Sequence, residues 1–418
     1  MKKLFTINIV LLVTLFIAIN KNTRDISAGH WQDISPAAFK NYSKVRDIKV
    51  TKNGVLIGLG EDNIGDSDLW LLSEKKATQL GGDSLGNGWS NNNKVNLILT
   101  TGNTVYAGLG EVSGELWKLD NNNWTSILNG KEANQTKYHY IYSGTVINNT
   151  PCFGAQGWAG SSRDTLNGPD IFCLKNNLIK VSTDHLFDKE HYRNIYDMTV
   201  FKDGLIIGLG NMYRNGNPAL ILEHKNGTTK IIGGNGSSNS WTNDKFYLPL
   251  SMTTHKNKLF VSFLRDEKLT PNDFLWSYDG KKWSSYNFED TTFTKPETNL
   301  HLNLKQTFFE SRLINKIISF KKHLILLAGG HNGGGNTVWT LNTEKNTMSL
   351  IGGYGVNYSW DPNWPKECLT KNKNSPHREC TRSTWIYTAD IDDKYLYIGV
   401  ARANGYEAKV YRYKVCPC

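Results

Sequence analysis

Carboxylates recurring at matched positions are the residues whose chemistry matters most. Glu61 and Glu111 each follow a Gly-Leu-Gly triplet, and Asn211 follows a third copy. Asp47 and Asp197 sit at like distances ahead of two of those triplets, on strands expected to line a central channel. Carboxylates brought close together raise one another's pKa and can serve as general acid and base. Glu61, Glu111, Asp47 and Asp197 are therefore the candidate catalytic set of a hydrolase or lyase, with hydrated carboxylates as the plain alternative. The run 62–68, DNIGDSD, offers calcium-like oxygen ligands without EF-hand spacing, so Ca²⁺ is the one cofactor to consider and no metal site is assigned. The 10 histidines are scattered, with His139 between Tyr138 and Tyr140 the most suggestive. No HExxH, Walker or recognisable nucleophile motif is present, which weighs against an enzyme.

A second constellation pairs tryptophan with small polar residues. Segments 81–89 (GGDSLGNGW), 233–241 (GGNGSSNSW) and 352–360 (GGYGVNYSW) share the spacing from first glycine to tryptophan. Such a tryptophan either wedges two sheets together or presents its face to a sugar, with nearby amides as hydrogen-bonding partners. The sugar-binding reading takes Trp89, Trp241, Trp360, Asn239 and Asn357, joined by Glu61, Glu111 and Asn211, as a ligand-binding set.

These residues need a scaffold, and the sequence supplies one by repetition. Segments 55–60 (VLIGLG), 105–110 (VYAGLG) and 205–210 (LIIGLG) are the clearest copies, and weaker ones occur at 152–155, 259–262, 325–330 and 396–399. Most copies have an alternating apolar strand before them, and each has an apolar pair after it, commonly aromatic, such as Leu69-Trp70 or Leu116-Trp117. A polar turn then leads to a fourth strand, as in 120–124 (DNNNW). Seven such units of four antiparallel strands predict an all-β, seven-bladed β-propeller. Glycine in the second strand lets adjacent sheets approach, and Trp70, Trp117, Trp276 and Trp339 read as core.

The last unit lacks a fourth strand, whereas 30–34 (HWQDI) matches 124–127 (WTSI) in type. The N-terminal strand is thus expected to complete the last blade and leave no open edge. Short turns fall on one face. The long segments 156–169, 265–272, 285–312 and 361–384 fall on the other, where function usually resides.

Two lysines followed by an apolar run and a polar stretch read as a secretory signal over residues 1–28, its cleavage point open, with 29–418 as one domain. Six cysteines in an exported chain suggest disulfides. Cys152 with Cys173 and Cys368 with Cys380 are the expected pairs; Cys416 and Cys418 remain over. The net charge of +10 is moderate once the signal lysines are discounted, with a basic cluster between Lys366 and Arg382. A glycan or an extracellular protein is the expected partner of a secreted or periplasmic monomer. Nucleic acid and stable membrane insertion after signal removal are not expected.

The combination GLG, LW, YDGxxW and IGGxGxxxSW resembles the blade repeats of secreted bacterial β-propellers across nearly the whole mature chain. Segment 277–283, SYDGKKW, is also similar to a contracted sialidase Asp-box, but one residue is missing and no matching arginine trio occurs, so sialidase chemistry is not implied. The resemblance implies fold rather than activity. The expected function is non-catalytic recognition of carbohydrate or a protein surface through the long-loop face, with a carboxylate-based hydrolase or lyase at the channel mouth as the alternative.

Overall fold

The computed structural model describes residues 29–42, 44–60, 67–74, 76–82, 85, 89, 94–132, 135–136, 138–156, 169–181, 192, 194–210, 219–234, 240–241, 246–265, 274–294, 303–310, 313–329, 336–353, 384–402 and 406–415. The expectations placed on residues 1–28, on Glu61, Asn211, Asn239, Asn357 and Trp360, and on Cys368, Cys380, Cys416 and Cys418 lie outside these residues.

Described strands pair antiparallel with one exception, and the helical elements among the described residues are a short 3₁₀ turn, Ala37–Asn41, and one α-helix, Leu304–Glu310. Three sheets have four strands, one has five and one has twelve, beside a two-stranded ribbon. The twelve-stranded sheet consists of three runs of four joined at two points, Gly60 opposite Lys94 and Gly110 opposite Tyr140. A glycine stands at each junction. With no side chain to hold the strands apart, neighbouring runs come close enough to pair backbones.

Tight turns link first to second strands because their residues accept the left-handed region. Asn148-Asn149, Lys202-Asp203 and Lys256-Asn257 each have positive φ at both positions, the type I′ geometry that suits the twist of paired strands.

The seven first strands are Lys44–Thr51, Lys94–Thr101, Tyr140–Ile147, Asn194–Phe201, Phe246–His255, Ile314–Phe320 and Thr384–Ile391. Each contacts the next in chain order, and the last contacts the first, so the succession returns on itself. Close packing at these seams depends on glycine. A Cβ on Gly58 would stand 2.8 Å from the Val95 carbonyl oxygen, and one on Gly399 would stand 2.4 Å from Val45 Cγ1.

The first and last described strands share one sheet. Trp31–Asp33 pairs antiparallel with Tyr406–Lys414, Trp31 opposite Tyr413. Trp31 Nε1 donates to the Ile351 carbonyl at 2.7 Å, as Trp124 Nε1 does to Leu80 at 2.7 Å and Trp283 Nε1 to Ile232 at 2.6 Å. In each case the acceptor immediately precedes the first glycine of a GG…W segment on the preceding sheet. The matched indoles explain why the N-terminal strand carries the same residue type as an outer strand elsewhere.

The segment 285–312, expected as a face loop, is partly built into the core. Thr292–Thr294 adds to the outer strand Thr347–Gly352 as a parallel fifth strand. Phe288, Leu304 and Phe308 are buried against Phe274 and Trp339, with Phe293 and Phe309 packed alongside. Too many large apolar side chains lie in this segment for it to remain solvated.

Candidate functional site

Every first strand carries a bulge at the same place. The pairing register skips Arg46, Asn96, Tyr142 and Tyr196 in the first four, then Leu250, Asn315 and Tyr387. A bulge inserts one residue opposite none and re-aims its side chain. All of these residues line a single cavity of about 590 Å³, to which every first strand contributes. Leu264 and Gly329 at the ends of second strands, and Leu313 and Asn336 ahead of other strands, also line it. The cavity thus reaches the side from which the long connections depart.

In four of the seven first strands the residue after the bulge fastens a seam by accepting a backbone N–H. Asp47 Oδ2 accepts the Ile98 N–H at 2.7 Å and Asp197 Oδ2 accepts the Met252 N–H at 2.6 Å, each from the next first strand. Ser251 Oγ accepts the Ile317 N–H at 3.1 Å and Thr388 Oγ1 accepts the Ile48 N–H at 3.2 Å in the same relation. Asp47 Oδ1 further accepts from Ile48 N and from Thr388 Oγ1, both at 2.9 Å, while Asp197 Oδ1 accepts from Met198 N at 3.0 Å. Both aspartates line the cavity as expected, but their oxygens are engaged in holding sheets together. Burial pushes the Asp47 carboxyl up from 3.8 to about 6, with the Lys316 charge and these hydrogen bonds opposing part of the rise.

Three cations face this wall. Lys49 pairs with Asp390 at 3.0 Å, and Arg46 lies over the Tyr387 ring, 5.6 Å from its centroid. Lys316 stands in the field of Asp197 foremost, with Asp47 and Asp390, which holds its ammonium above the usual lysine pKa against the opposing effect of burial. Burial likewise raises the Tyr142 phenol, which stays protonated at neutral pH, and its ring is 5.2 Å from that of Tyr196. Arg46, Lys316 and the three tyrosines were not singled out in the sequence. Their signal was the pair of consecutive polar or aromatic residues, as in Ile195-Tyr196-Asp197, that breaks strand alternation at five of the seven bulges.

Glu111 is placed apart from the cavity lining. Its carboxylate pairs with the Lys94 ammonium, and its N–H donates to the His139 carbonyl at 2.8 Å, at a φ of 99° rarely adopted by a side chain of this kind. Burial lowers the His139 imidazole below its usual pKa, which favours the neutral ring. Asp68, the one carboxylate of the run 62–68 that falls within the described residues, accepts from the Tyr42 hydroxyl. No cluster of metal-ligating side chains occurs among the described residues.

Trp89 and Trp241 correct the sugar-stacking expectation for these two residues. They are 1% and 2% exposed, leaving no face for a ligand. Trp89 Nε1 donates to Ser67 O at 2.7 Å and Trp241 Nε1 to Ala219 O at 3.1 Å. Trp89 packs on Trp117 and Trp124, and Trp241 on Trp276 and Trp283, so each ring is a wedge between sheets. Trp339 is fully buried as core, while Trp70, Trp117 and Trp276 are half-buried. Cys152 and Cys173 are bonded across directly opposed strand positions.

No family model and no curated protein matches the sequence. Solved structures do match in fold. The structure titled U3-55K is 8% identical, covering 92% of this chain and 98% of that one at a TM-score of 0.51. An oligogalacturonate lyase in complex with manganese is 9% identical, with 93% of each chain covered and a TM-score of 0.52. The polysaccharide lyase Uly1 is 9% identical, with 88% of this chain and 89% of that chain covered, at a TM-score of 0.50. At these identities the likeness establishes an all-β, propeller-like fold. Among the described residues no helix is long and apolar enough to cross a membrane.

Proposed function

We propose that this chain is a secreted seven-bladed β-propeller of four-stranded blades, and that it binds a carbohydrate without catalysis in the cavity at its hub. The reading keeps residues 1–28 as an export signal, 29–418 as one monomeric domain, and neither nucleic acid nor a resident cofactor as a partner. One observation carries the binding site: seven equivalent bulges each bring a residue to the lining of the same cavity. The blades repeat, whereas the bulged positions hold four residue types: arginine, asparagine, tyrosine and leucine. Packing alone would tolerate similar residues at equivalent places, so the diversity of arginine, asparagine and tyrosine at the hub fits a single asymmetric ligand. The volume of about 590 Å³ lies in the range of small-ligand sites, and tyrosine faces beside amides suit a pyranose ring.

A glycan array probed with wild type and with the Tyr142→Ala/Tyr196→Ala double variant tests this. Selective binding by wild type and its loss in the variant, at unchanged melting temperature, supports the hub. Absence of binding at millimolar sugar, or binding indifferent to both tyrosines, overturns it.

The hydrolase or lyase reading draws on Asp47, whose pKa near 6 suits proton transfer at neutral pH. It is the weaker reading because three donors occupy that carboxylate. Two fold neighbours are lyases acting on polysaccharide or oligogalacturonate by their titles, which supports only that such folds host this chemistry. Turnover of an acidic polysaccharide that Asp47→Asn abolishes would favour it over simple binding.

A further inference from the structure

We propose that the hub cavity selects a saccharide bearing a carboxylate, and that Lys316 is the group that receives it. This inference rests on the hub-binding reading and names its ligand class.

Lys316 follows the bulge of the sixth first strand and lines the cavity. At the equivalent place in four other blades, Asp47, Asp197, Ser251 and Thr388 hold a seam by accepting a backbone N–H. An ammonium has no lone pair with which to do so. Within the described residues the Lys316 ammonium has no hydrogen-bond or ion-pair partner, although its backbone pairs opposite Leu327, in contrast to Lys49, which is neutralised by Asp390. A lysine that fastens nothing at a fastening position has lost its structural reason to be there.

The surrounding charges keep it ready for an anion. Asp197, Asp47 and Asp390 stabilise the protonated amine through space, and none comes within ion-pair distance of it. Their oxygens are turned to the wall: Asp47 and Asp197 each accept backbone N–H groups, and Asp390 Oδ2 accepts the Val50 N–H at 2.8 Å. A carboxylate entering from the cavity meets the ammonium in direct contact, while the wall carboxylates act from farther away and through existing donors. Because Coulomb energy falls with distance, the contact dominates. Arg46, stacked over Tyr387 on the first blade, adds a second positive charge to the same lining. The tyrosines Tyr142 and Tyr196 supply ring faces for the rest of a sugar.

The test uses an array and then calorimetry with matched pairs, cellobiose against cellobiouronic acid among them, which differ by one carboxylate. Wild type is expected to bind the acidic member roughly tenfold or more tightly, the worth of one charge-assisted hydrogen bond. Lys316→Met is expected to abolish that preference and Lys316→Arg to retain it. The wild-type preference should also shrink with added salt, and the Met variant should show no such dependence. Equal affinity of wild type for both members, or a preference that survives in a folded Lys316→Met protein, overturns the role of Lys316. If no saccharide of either kind binds, the hub reading itself falls and this inference with it.

Discussion

The Asp47 carboxylate accepts the Ile98 backbone N–H at 2.7 Å across the seam between two neighbouring first strands, Lys44–Thr51 and Lys94–Thr101. Asp197 and Met252 stand in the same relation at another seam. Truncation strands buried donors, so Asp47→Ala and Asp197→Ala should each lower unfolding free energy by about 1–3 kcal/mol per orphaned N–H. Urea unfolding monitored by tryptophan fluorescence measures this. Wild-type midpoints in both variants would show that the contacts are incidental.

Asp47 also sets a pH dependence whose sign is fixed. Its folded-state pKa of about 6 exceeds the ordinary 3.8, so between those values the folded chain holds a proton that the unfolded chain has released. Stability from this group is therefore greatest at the acid end of that window and declines as pH rises through about 6. Asp47→Asn should flatten the slope of the unfolding midpoint between pH 4 and pH 6.5. An unchanged slope refutes the assignment.

Trp241→Ala removes a buried wedge together with its hydrogen bond to Ala219, and should cost roughly 3–5 kcal/mol. Sugar affinity measured well below the variant's melting temperature should stay as in wild type. Affinity lost in a protein that remains folded would restore Trp241 to the ligand site.

Cys152 and Cys173 close a loop with a sequence separation of 21. On the chain-entropy model the bond contributes roughly 3 kcal/mol. The Cys152→Ala/Cys173→Ala variant should melt several degrees lower, and reductant should shift wild type by more than it shifts the variant. Identical melting curves with and without reductant would contradict this.

Much of the scaffold was legible because it repeats. Gly58 and Gly399 were marked by recurrence, and the structure shows why a Cβ there would strike the next sheet. Trp31 was legible as an outer-strand residue through its likeness to Trp124, and both donate to the equivalent carbonyl. The site was less legible. Lys316 belongs to no recurring motif, and its significance depends on what Asp47 and Thr388 do at the same place on other first strands. Trp89 and Trp241 misled because a wedge and a sugar platform demand the same ring, and only burial separates them. Phe288, Phe293 and Phe308 signalled a packed insertion, but segment length drew attention to the loop instead.

Pairing Trp31 with Tyr413 makes the opening and closing strands of the polypeptide direct neighbours. Assembly therefore has an obligatory last step. Until Trp31–Asp33 docks, the strand Tyr406–Lys414 presents a bare edge to any other extended chain. Loop closure over almost the full length is slow relative to local hairpin formation, so this interval is when aggregation competes with folding. Docking of three residues, Trp31–Asp33, ends it.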